Sequence, residues 1–171
     1  MKKMKLRIHT WPEKILKKRT KKVENIDESL RETLSEMLTL MRVSGGAGLA
    51  GNQAGLDLQL VVIESEDQIF KLINPVIIKQ EGKITFAEGC LSFPDLELEV
   101  KRKKRIVISA LDEFARKVTI EAEGLLAVIF QHEIDHLNGI TFIDRVSIFQ
   151  RIKAYPKLKS IARRTKNGMC E

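Results

Sequence analysis

Residues 124–137 constrain this chain more than any other segment, because they join an apolar run to a cluster of polar, titratable side chains. Residues 125–130 are apolar all round, which is typical of a helix buried on every side. Residues 131–136 then read Gln-His-Glu-Ile-Asp-His, and Asn138-Gly139 ends the helix. Charged residues on such a helix are costly when unpaired, so the segment predicts a buried helix whose carboxylates meet a metal ion or a basic side chain.

The second half of this helix carries a His-Glu-x-x-His pattern. Positions i and i+4 of a helix lie about 40° apart around its axis, so His132 and His136 face one way and can hold one metal ion. Glu133 lies beside them without being a ligand, as a general base should. Two of the three histidines in the chain fall at this spacing, which favours a metal site over two unrelated core or surface histidines.

Two histidines leave a third protein ligand to find. In most hydrolases with this pattern it lies downstream as a His or a Glu, but no residue after His136 offers one at an obvious spacing. The upstream candidate is Cys90, whose preceding glycine lets the backbone bring a thiolate close to a metal. Taken alone, Cys90 fits better as a small buried apolar residue, which is the usual fate of a free cysteine. Cys170, next to the last residue, is expected to be a free thiol.

The remaining segments predict one domain over residues 1–147, followed by a basic tail over residues 148–171. Apolar residues at helical spacing predict an N-terminal helix over residues 27–43. Runs of β-branched and alternating residues predict strands at 60–63, 76–78, 105–111 and 117–121. Strands around one central buried helix indicate an α+β fold, with antiparallel or mixed sheets, an additional N-terminal helix and a basic helical tail.

Composition excludes several classes of protein. Of the 171 residues, 43% are hydrophobic and 31% are charged, which is ordinary for a folded domain and argues against disorder. The longest apolar run, residues 125–130, is far too short to span a bilayer. Two distant cysteines make no disulfide framework. We therefore expect a cytoplasmic, monomeric protein with reduced thiols and no membrane contact.

Three motifs together resemble those of the peptide deformylase family, and their order and separations also match. They are Gly-Ala-Gly-Leu-Ala-Gly-Asn-Gln at residues 46–53, Glu-Gly-Cys-Leu-Ser at residues 88–92 and Gln-His-Glu-Ile-Asp-His at residues 131–136. The resemblance extends from about residue 6 to about residue 147. Each motif alone is weak or moderate evidence, whereas the three together are highly specific.

The resemblance implies a role for each matching residue. The metal ligands would be Cys90, His132 and His136, and Glu133 would be the general base. The side-chain amide of Gln53 and the backbone N–H of Leu91 would bind the developing oxyanion. The backbone of Gly46, Ala47 and Gly48 would hold the substrate peptide in extended form. Arg102 matches a basic substrate-binding position, although it also fits a solvated charge within the basic run at residues 101–105.

The implied activity is removal of the formyl group from N-formyl-methionyl nascent peptides, with release of formate. A metal-bound water would attack the formyl carbon, because coordination lowers the pKa of water from about 15.7 towards 7. A thiolate with two imidazoles suits zinc and ferrous iron. The resemblance implies Fe²⁺ as the physiological metal, with Zn²⁺, Ni²⁺ or Co²⁺ as replacements after purification.

The methionine side chain of such a substrate needs an apolar pocket. Leu125, Val128 and Ile129 lie seven, four and three residues before His132, which places them on the face that carries the ligands. Plain core packing explains the three residues equally well. The chain departs from the family pattern at Ala47, where the family has a larger aliphatic residue, and at Gly51, where it has a second alanine. We expect Ala47 to affect substrate fit and Gly51 to cost little beyond flexibility.

The tail is strongly basic, in a chain whose formal net charge is +7. Its Lys and Arg residues favour docking on ribosomal RNA or protein, near the source of the substrate. A solvated and partly disordered tail explains the same composition slightly better. Ile148, Phe149 and Ile152 form a short apolar stripe, and Pro156 is expected to interrupt any single long helix.

Two other functions compete with this interpretation. The His-Glu-x-x-His pattern alone also fits a metallopeptidase that cleaves internal peptide bonds, which requires a downstream third ligand. The basic charge fits an RNA-binding protein with a structural metal, which requires a fourth protein ligand that closes the site.

Overall fold

The computed structural model describes residues 6–65 and 68–168. Within them, the longer helices are α1 (Glu28–Val43), α2 (Gly124–Leu137) and α4 (Ile148–Lys166), and a short α3 spans Phe142–Arg145. Single 3₁₀ turns occur at Lys14–Lys17 and Gly51–Ala54. The strands are β1 (Gly48–Ala50), β2 (Leu60–Ser65), β3 (Gln68–Glu81), β4 (Ile84–Cys90), β5 (Phe93–Arg102), β6 (Arg105–Leu111) and β7 (Lys117–Glu123).

The strands form two antiparallel sheets. One has five strands in the order β1-β2-β3-β6-β7, and the other pairs β4 with β5. The expected α+β class with antiparallel sheets is confirmed. The sequence patterns located β2, β6 and β7, but they missed β4 and β5 and predicted only residues 76–78 of β3, after Asn74-Pro75. The structure begins β3 at Gln68 and carries it through Asn74-Pro75, with a register shift between Ile73 and Val76 and with Asn74 at a φ of 52°.

The five-stranded sheet separates two helices. Val61 and Ile63 of β2 belong to the same apolar cluster as Phe130 of α2, whereas Leu60 and Val62 pack in the cluster that contains α1. Successive side chains of a strand point to opposite faces. The unbroken apolar run of β2 therefore reflects burial on both faces of the sheet.

Helix α2 is buried along most of its length, and residues 130–137 are all buried. Its N-terminal residue, Gly124, has a φ of 62°, and Gly139, just beyond its C-terminus, has a φ of 72°. Glycine adopts such left-handed conformations without the steric cost of a side chain. A Cβ atom at Gly139 would also lie 2.5 Å from the carbonyl oxygen of Lys17. Glycine thus both ends α2 and lets its end approach the N-terminal segment closely.

The basic tail forms one helix, α4, rather than a solvated extension or a helix interrupted at Pro156. Its buried side chains lie on both sides of that proline, Ala154 before it and Leu158 and Ile161 after it, and they pack in a cluster with Phe93. A proline inside a helix costs roughly 3 kcal/mol, which this packing outweighs. Cys170, the expected free thiol, lies outside the described residues.

Among the described residues, none of the helices is both long and apolar enough to cross a membrane.

Candidate metal centre

One thiol and two imidazoles meet between β4 and α2. Cys90 is the last residue of β4, and its Sγ lies 3.3 Å from His136 Nε2. His136 Nε2 lies 3.2 Å from His132 Nε2. Within the described ranges this is the one group of three or more cysteine, histidine or acidic residues whose donor atoms converge for a metal ion. The structure therefore brings together the three residues that the sequence proposed as ligands.

The spacing of these donor atoms fits a metal ion. Ligands around a tetrahedral ion, at about 2.0–2.3 Å from it, are separated from one another by about 3.3–3.6 Å. The separations of 3.3 and 3.2 Å lie at the lower edge of that range. The donor set is one thiolate with two imidazoles, which zinc and ferrous iron both accept. Three ligands leave a fourth position open to solvent or substrate, as in catalytic rather than structural sites.

A buried carboxylate orients His132. Glu88 Oε2 lies 2.8 Å from His132 Nδ1, so the other ring nitrogen, Nε2, is directed at the metal position. Carboxylates behind metal-binding histidines select the tautomer and hold the ring in place. Burial tends to raise the pKa of Glu88, but hydrogen bonds from Arg102 and His132 outweigh it and lower that pKa. Glu88 therefore stays ionised where it contacts His132.

Arg102 does not line the groove that contains Cys90, which corrects its predicted role in substrate binding. Its side chain is only 3% exposed, and it forms two hydrogen bonds to Glu88, of 2.6 and 2.9 Å. A further nitrogen donates to Asp135, which Arg145 also contacts. The guanidinium is occupied by buried carboxylates. Arg102 is a structural cation that keeps Glu88 in position behind His132.

The sequence predicted that charged residues on the buried helix α2 would contact a metal ion or a basic side chain. Asp135 is a charged residue on a buried helix, and its partners are the basic side chains of Arg102 and Arg145. Burial of a charge is tolerated only where it is paired and hydrogen-bonded. The ion pairs therefore explain Asp135 without any contact to the metal.

Gln53 is held with its amide nitrogen toward the metal position. The backbone N–H of Ala50 donates to Gln53 Oε1 at 2.8 Å, which fixes the oxygen end of the amide. Nε2 then lies 3.4 Å from Cys90 Sγ and 3.2 Å from Ser92 Oγ. The amide is buried and has two N–H groups. It therefore presents a rigid donor beside Cys90. Gln53, Cys90 and the neighbouring Leu91 all line one groove.

Glu133 is a buried carboxylate next to this centre. Its Oε2 is shielded from solvent and has no hydrogen-bond partner in the described part of the chain. Burial raises the pKa of Glu133 to about 7, although the positive charge of His132 opposes the shift. A Cβ atom at Gly48 would lie 2.6 Å from Glu133 Oε1, so only glycine leaves this carboxylate its space. A carboxylate with these properties can exchange a proton near neutral pH.

The two histidines differ in their electrostatic surroundings. Burial tends to lower the pKa of His132, but the charge and hydrogen bond of Cys90, and then the hydrogen bond to Glu88, outweigh it and raise the pKa. Burial lowers the pKa of His136 well below its usual value, and the positive charge of His132 adds to the effect. A neutral His136 is the form that can donate a lone pair to a metal.

A groove with a volume of about 830 Å³ opens onto this centre. Gly46, Ala47 and Gly48 line one side of it, and Leu125, Val128 and Ile129 line it at α2. Val128 is buried whereas Leu125 is half exposed, so the two lie at different depths. Sites of this volume are typical of small-molecule and peptide ligands.

The groove also contains residues that the sequence analysis missed. Residues 86–89, which lead into Cys90 along β4, are among them. Their position next to the candidate ligand Cys90 is visible in the sequence and could have identified them. Ile8, Thr10, Pro94 and Arg164 line the groove as well. No local pattern connects these four residues, which come from distant parts of the chain.

Gly51 has a specific steric role rather than the small cost in flexibility that was expected. A Cβ atom at this position would lie 2.3 Å from the backbone carbonyl oxygen of Leu58. A backbone atom cannot move aside as the end of a side chain can. In this chain the glycine allows the turn that carries Gln53 to pack directly against the segment before β2.

Comparison with known proteins agrees with this geometry. The family model described as polypeptide deformylase matches residues 5–151 of the chain. The peptide deformylase of Aquifex aeolicus is 41% identical over 162 residues, which cover 91% of this chain and 96% of the relative.

Solved structures give the same result. A peptide deformylase from Legionella pneumophila has a TM-score of 0.86 and 39% identity, over 92% of this chain and 95% of that one. A peptide deformylase from Synechococcus elongatus, in complex with actinonin, has a TM-score of 0.87 and 38% identity, over 95% of this chain and 88% of that one. By sequence and by fold, this chain belongs to the polypeptide deformylase family of enzymes.

Proposed function

We propose that this enzyme removes the formyl group from the N-terminal formyl-methionine of newly made polypeptides and releases formate. The observation that carries the proposal is the convergence of Cys90, His132 and His136 in a groove that Glu133 also lines, with Glu133 Oε2 lacking a hydrogen-bond partner among the described residues. Membership of the deformylase family supports the same substrate class.

Cys90 Sγ and the Nε2 atoms of His132 and His136 would hold one divalent metal ion, with Fe²⁺ as the physiological ion and Zn²⁺, Ni²⁺ or Co²⁺ as substitutes. When bound, such an ion makes water reactive at neutral pH and polarises a carbonyl oxygen. Glu88 keeps the ring of His132 oriented through the 2.8 Å contact at Nδ1.

The oxyanion donors are the amide of Gln53 and the backbone N–H of Leu91. As the formyl carbon becomes tetrahedral, its oxygen gains negative charge, and Gln53 Nε2 is already directed at that region by its contact with Ala50. A preorganised donor costs no reorganisation during the reaction. Removal of one such donor typically reduces the rate by about 10²–10³.

Glu133 moves the proton. With a pKa near neutrality, its Oε2 accepts the proton of the attacking water and then delivers it to the nitrogen of the leaving amine. The C–N bond of the formamide breaks, and formate and a free N-terminal amine are the products. General acid–base catalysis of this kind contributes about 10²–10⁴ in rate.

The substrate peptide lies in extended form along the free edge of β1, beside Gly46, Ala47 and Gly48. Strand β1 pairs with β2 on one side only, and the carbonyl of Ala47 already accepts from Glu64 of β2. By antiparallel alternation, the backbone groups of Gly48 point to the opposite side, where a peptide can add as a strand. Leu125, Val128 and Ile129 line the pocket for the methionine side chain.

The two competing functions fit less well. A metallopeptidase of the ordinary type takes its third ligand downstream of the second histidine, whereas the third donor here is Cys90, upstream. A structural metal site needs a fourth protein ligand, and the described residues supply three.

The test is formate release from formyl-Met-Ala-Ser, with and without a chelator. We expect turnover that a chelator abolishes, and a loss of about 10²–10⁴ in kcat in Glu133→Gln with the metal content retained. Glu121→Gln, at an exposed glutamate on β7, is the matched control. Cleavage of an unblocked peptide with no release of formate would contradict the proposal.

We also propose that the enzyme acts in the cytoplasm as a monomer and contacts the ribosome through the outer face of α4. That face carries exposed basic residues together with exposed Ile148, Phe149 and Ile152, and the phosphates of ribosomal RNA attract such a surface. A Lys153→Glu, Lys159→Glu double variant should lose co-sedimentation with ribosomes at low salt. Unchanged co-sedimentation would refute the docking proposal.

A further inference from the structure

One end of the substrate groove is formed by the C-terminal helix. Arg164, in the last turn of α4, lines the groove together with Ile8, Thr10 and Pro94. Arg164 is 74 residues downstream of Cys90, yet both line the same groove. The helix that the sequence assigned to a tail is therefore part of the wall along which a substrate peptide lies.

Hydrogen bonds on two sides fix this end of α4. Thr165 Oγ1 lies 2.8 Å from Thr10 Oγ1 and donates to the carbonyl of Trp11 at 2.9 Å. On the other side, Lys157 Nζ donates to the carbonyl of Asp95 at 3.0 Å, and Arg164 Nη1 donates to Asp95 Oδ2 at 3.0 Å. The guanidinium of Arg164 is thus placed by contacts before and after it rather than left to move freely in solvent.

Arg164 keeps most of its donors available. A guanidinium has five N–H groups, and within the described residues the side chain of Arg164 makes one hydrogen bond, to Asp95. Its Nε is shielded from solvent and has no acceptor there. The side chain as a whole is 35% exposed, so it can reach a ligand in the groove. Arg164 is also the single lysine or arginine among the described residues that line the groove.

From this placement, and on the basis of the proposed function, we propose that Arg164 selects for substrates with an acidic side chain at the second or third residue of the formylated peptide. A carboxylate there would accept the free N–H groups of the guanidinium in a charge-assisted hydrogen bond. The proposed methionine-binding residues, Leu125, Val128 and Ile129, belong to the helix that carries His132 and His136. Arg164 would therefore contact a side chain that follows the methionine, and the C-terminal helix would contribute to substrate specificity.

The experiment compares C-terminally amidated peptides, so that the Glu side chain is the only carboxylate in the Glu peptides and the Lys peptides have none. The peptides are formyl-Met-Glu-Ser with formyl-Met-Lys-Ser, and formyl-Met-Ala-Glu with formyl-Met-Ala-Lys. For each enzyme the quantity is the ratio of kcat/KM for the Glu peptide to that for the Lys peptide. A ratio within one enzyme cancels any general damage to folding or catalysis. Formyl-Met-Ala-Ser amide tests the proposed function separately.

We expect Arg164→Gln to lower this ratio about two- to fivefold at one of the two positions, the range for a partly exposed ion pair. Arg164→Glu should lower it further, and high salt should reduce the difference between the enzymes. Arg163→Gln is the control, because it removes the same charge from the adjacent, exposed position.

Turnover of the neutral peptide with ratios equal in wild type and Arg164→Gln at both positions would overturn this inference alone. An equal change in Arg163→Gln would also overturn it, because the effect would then come from overall charge. Lack of formate release from every peptide would instead contradict the proposed function.

Discussion

Helices α2 and α4 both border the groove, but they are held in the fold by different means. Helix α2 is buried along most of its length, and its charged residue Asp135 is neutralised by Arg102 and Arg145. Helix α4 is largely exposed and basic, and its buried side chains are Ala154, Leu158 and Ile161. One helix therefore depends on mutual compensation of buried charges, and the other on a narrow apolar stripe.

This difference predicts how each helix responds to change. A buried ion pair that loses one partner leaves an uncompensated charge and a large penalty. A helix held by a narrow stripe tolerates substitution almost everywhere except at the stripe itself. The polar groups of α2 should therefore be the most sensitive positions, and the outer face of α4 the least.

The largest effect is expected for Arg102→Met. It leaves the carboxylates of Glu88 and Asp135 buried without their shared cation, which should reduce the free energy of unfolding by about 3–5 kcal/mol. Because Glu88 orients His132, metal affinity should also fall about 10- to 100-fold. Urea denaturation and metal titration measure the two quantities. Arg105→Met, at an ion pair that is about half exposed, should change stability far less.

Leu158→Ala tests the apolar stripe of α4. Leu158 is 5% exposed, and its truncation should reduce the free energy of unfolding by about 2–4 kcal/mol through lost burial and a residual cavity. Lys153→Ala, on the exposed face of the same helix, should stay within about 0.5 kcal/mol of wild type. If both variants were equally stable, α4 would not depend on this stripe.

Pro156→Ala should stabilise the protein. The substitution restores the N–H that can donate to the carbonyl of Ile152, and both residues are exposed, so no cavity forms. The gain in helix propensity is partly offset by greater entropy of the unfolded chain. The free energy of unfolding should therefore increase by about 1–2 kcal/mol. Thermal unfolding measures it, with Ser160→Ala as the exposed control. A lower melting temperature would mean that the proline conformation is required for α4 to reach the groove.

The smallest expected effect is a loss of stability at low pH. It arises in the N-terminal segment, which contacts the end of α4. Partial burial tends to raise the pKa of Glu13, but hydrogen bonds from Arg7, Thr10 and His9 outweigh it and lower that pKa to about 2. Because the folded pKa lies below the unfolded value of 4.5, the stabilisation is fully present above about pH 4.5. It is lost as the pH falls from there towards 2.

Glu13→Gln should therefore be less stable than wild type by on the order of 1 kcal/mol at pH 7, given the partial exposure of the carboxylate. The difference should shrink when unfolding is measured at pH 3. Glu24→Gln, at an exposed glutamate of the same segment, is the control. A difference that stayed constant from pH 7 to pH 3 would exclude the ionised carboxylate as its source.

Prediction from the sequence succeeded where a pattern is local. The helical spacing of His132 and His136, the apolar run before them and the alternation of β6 and β7 each lie within a few consecutive residues, and the structure contains all of these elements. Prediction failed where contacts with residues distant in the sequence determine the position or role of a side chain. Arg102 was assigned to the substrate because it matches a basic position of the family pattern, whereas its partners Glu88 and Asp135 lie 14 and 33 residues away.

Pro156 is a second such case. Its local effect is to break a helix, and only the cluster around Phe93 explains why the helix continues on both sides of it. Gly51 is a third case, since the carbonyl of Leu58 that excludes a Cβ atom there is not apparent from a comparison of residue types.

By itself, the sequence determined the buried helix α2, the two imidazoles on one of its faces and the carboxylate beside them, because helical periodicity is a property of consecutive residues. Only the tertiary structure decided that Cys90 meets those imidazoles, that Arg102 is buried behind them and that Arg164 reaches the groove. Each of these contacts joins distant segments of the chain, and their formation depends on the packing of the whole fold rather than on any pattern within one segment.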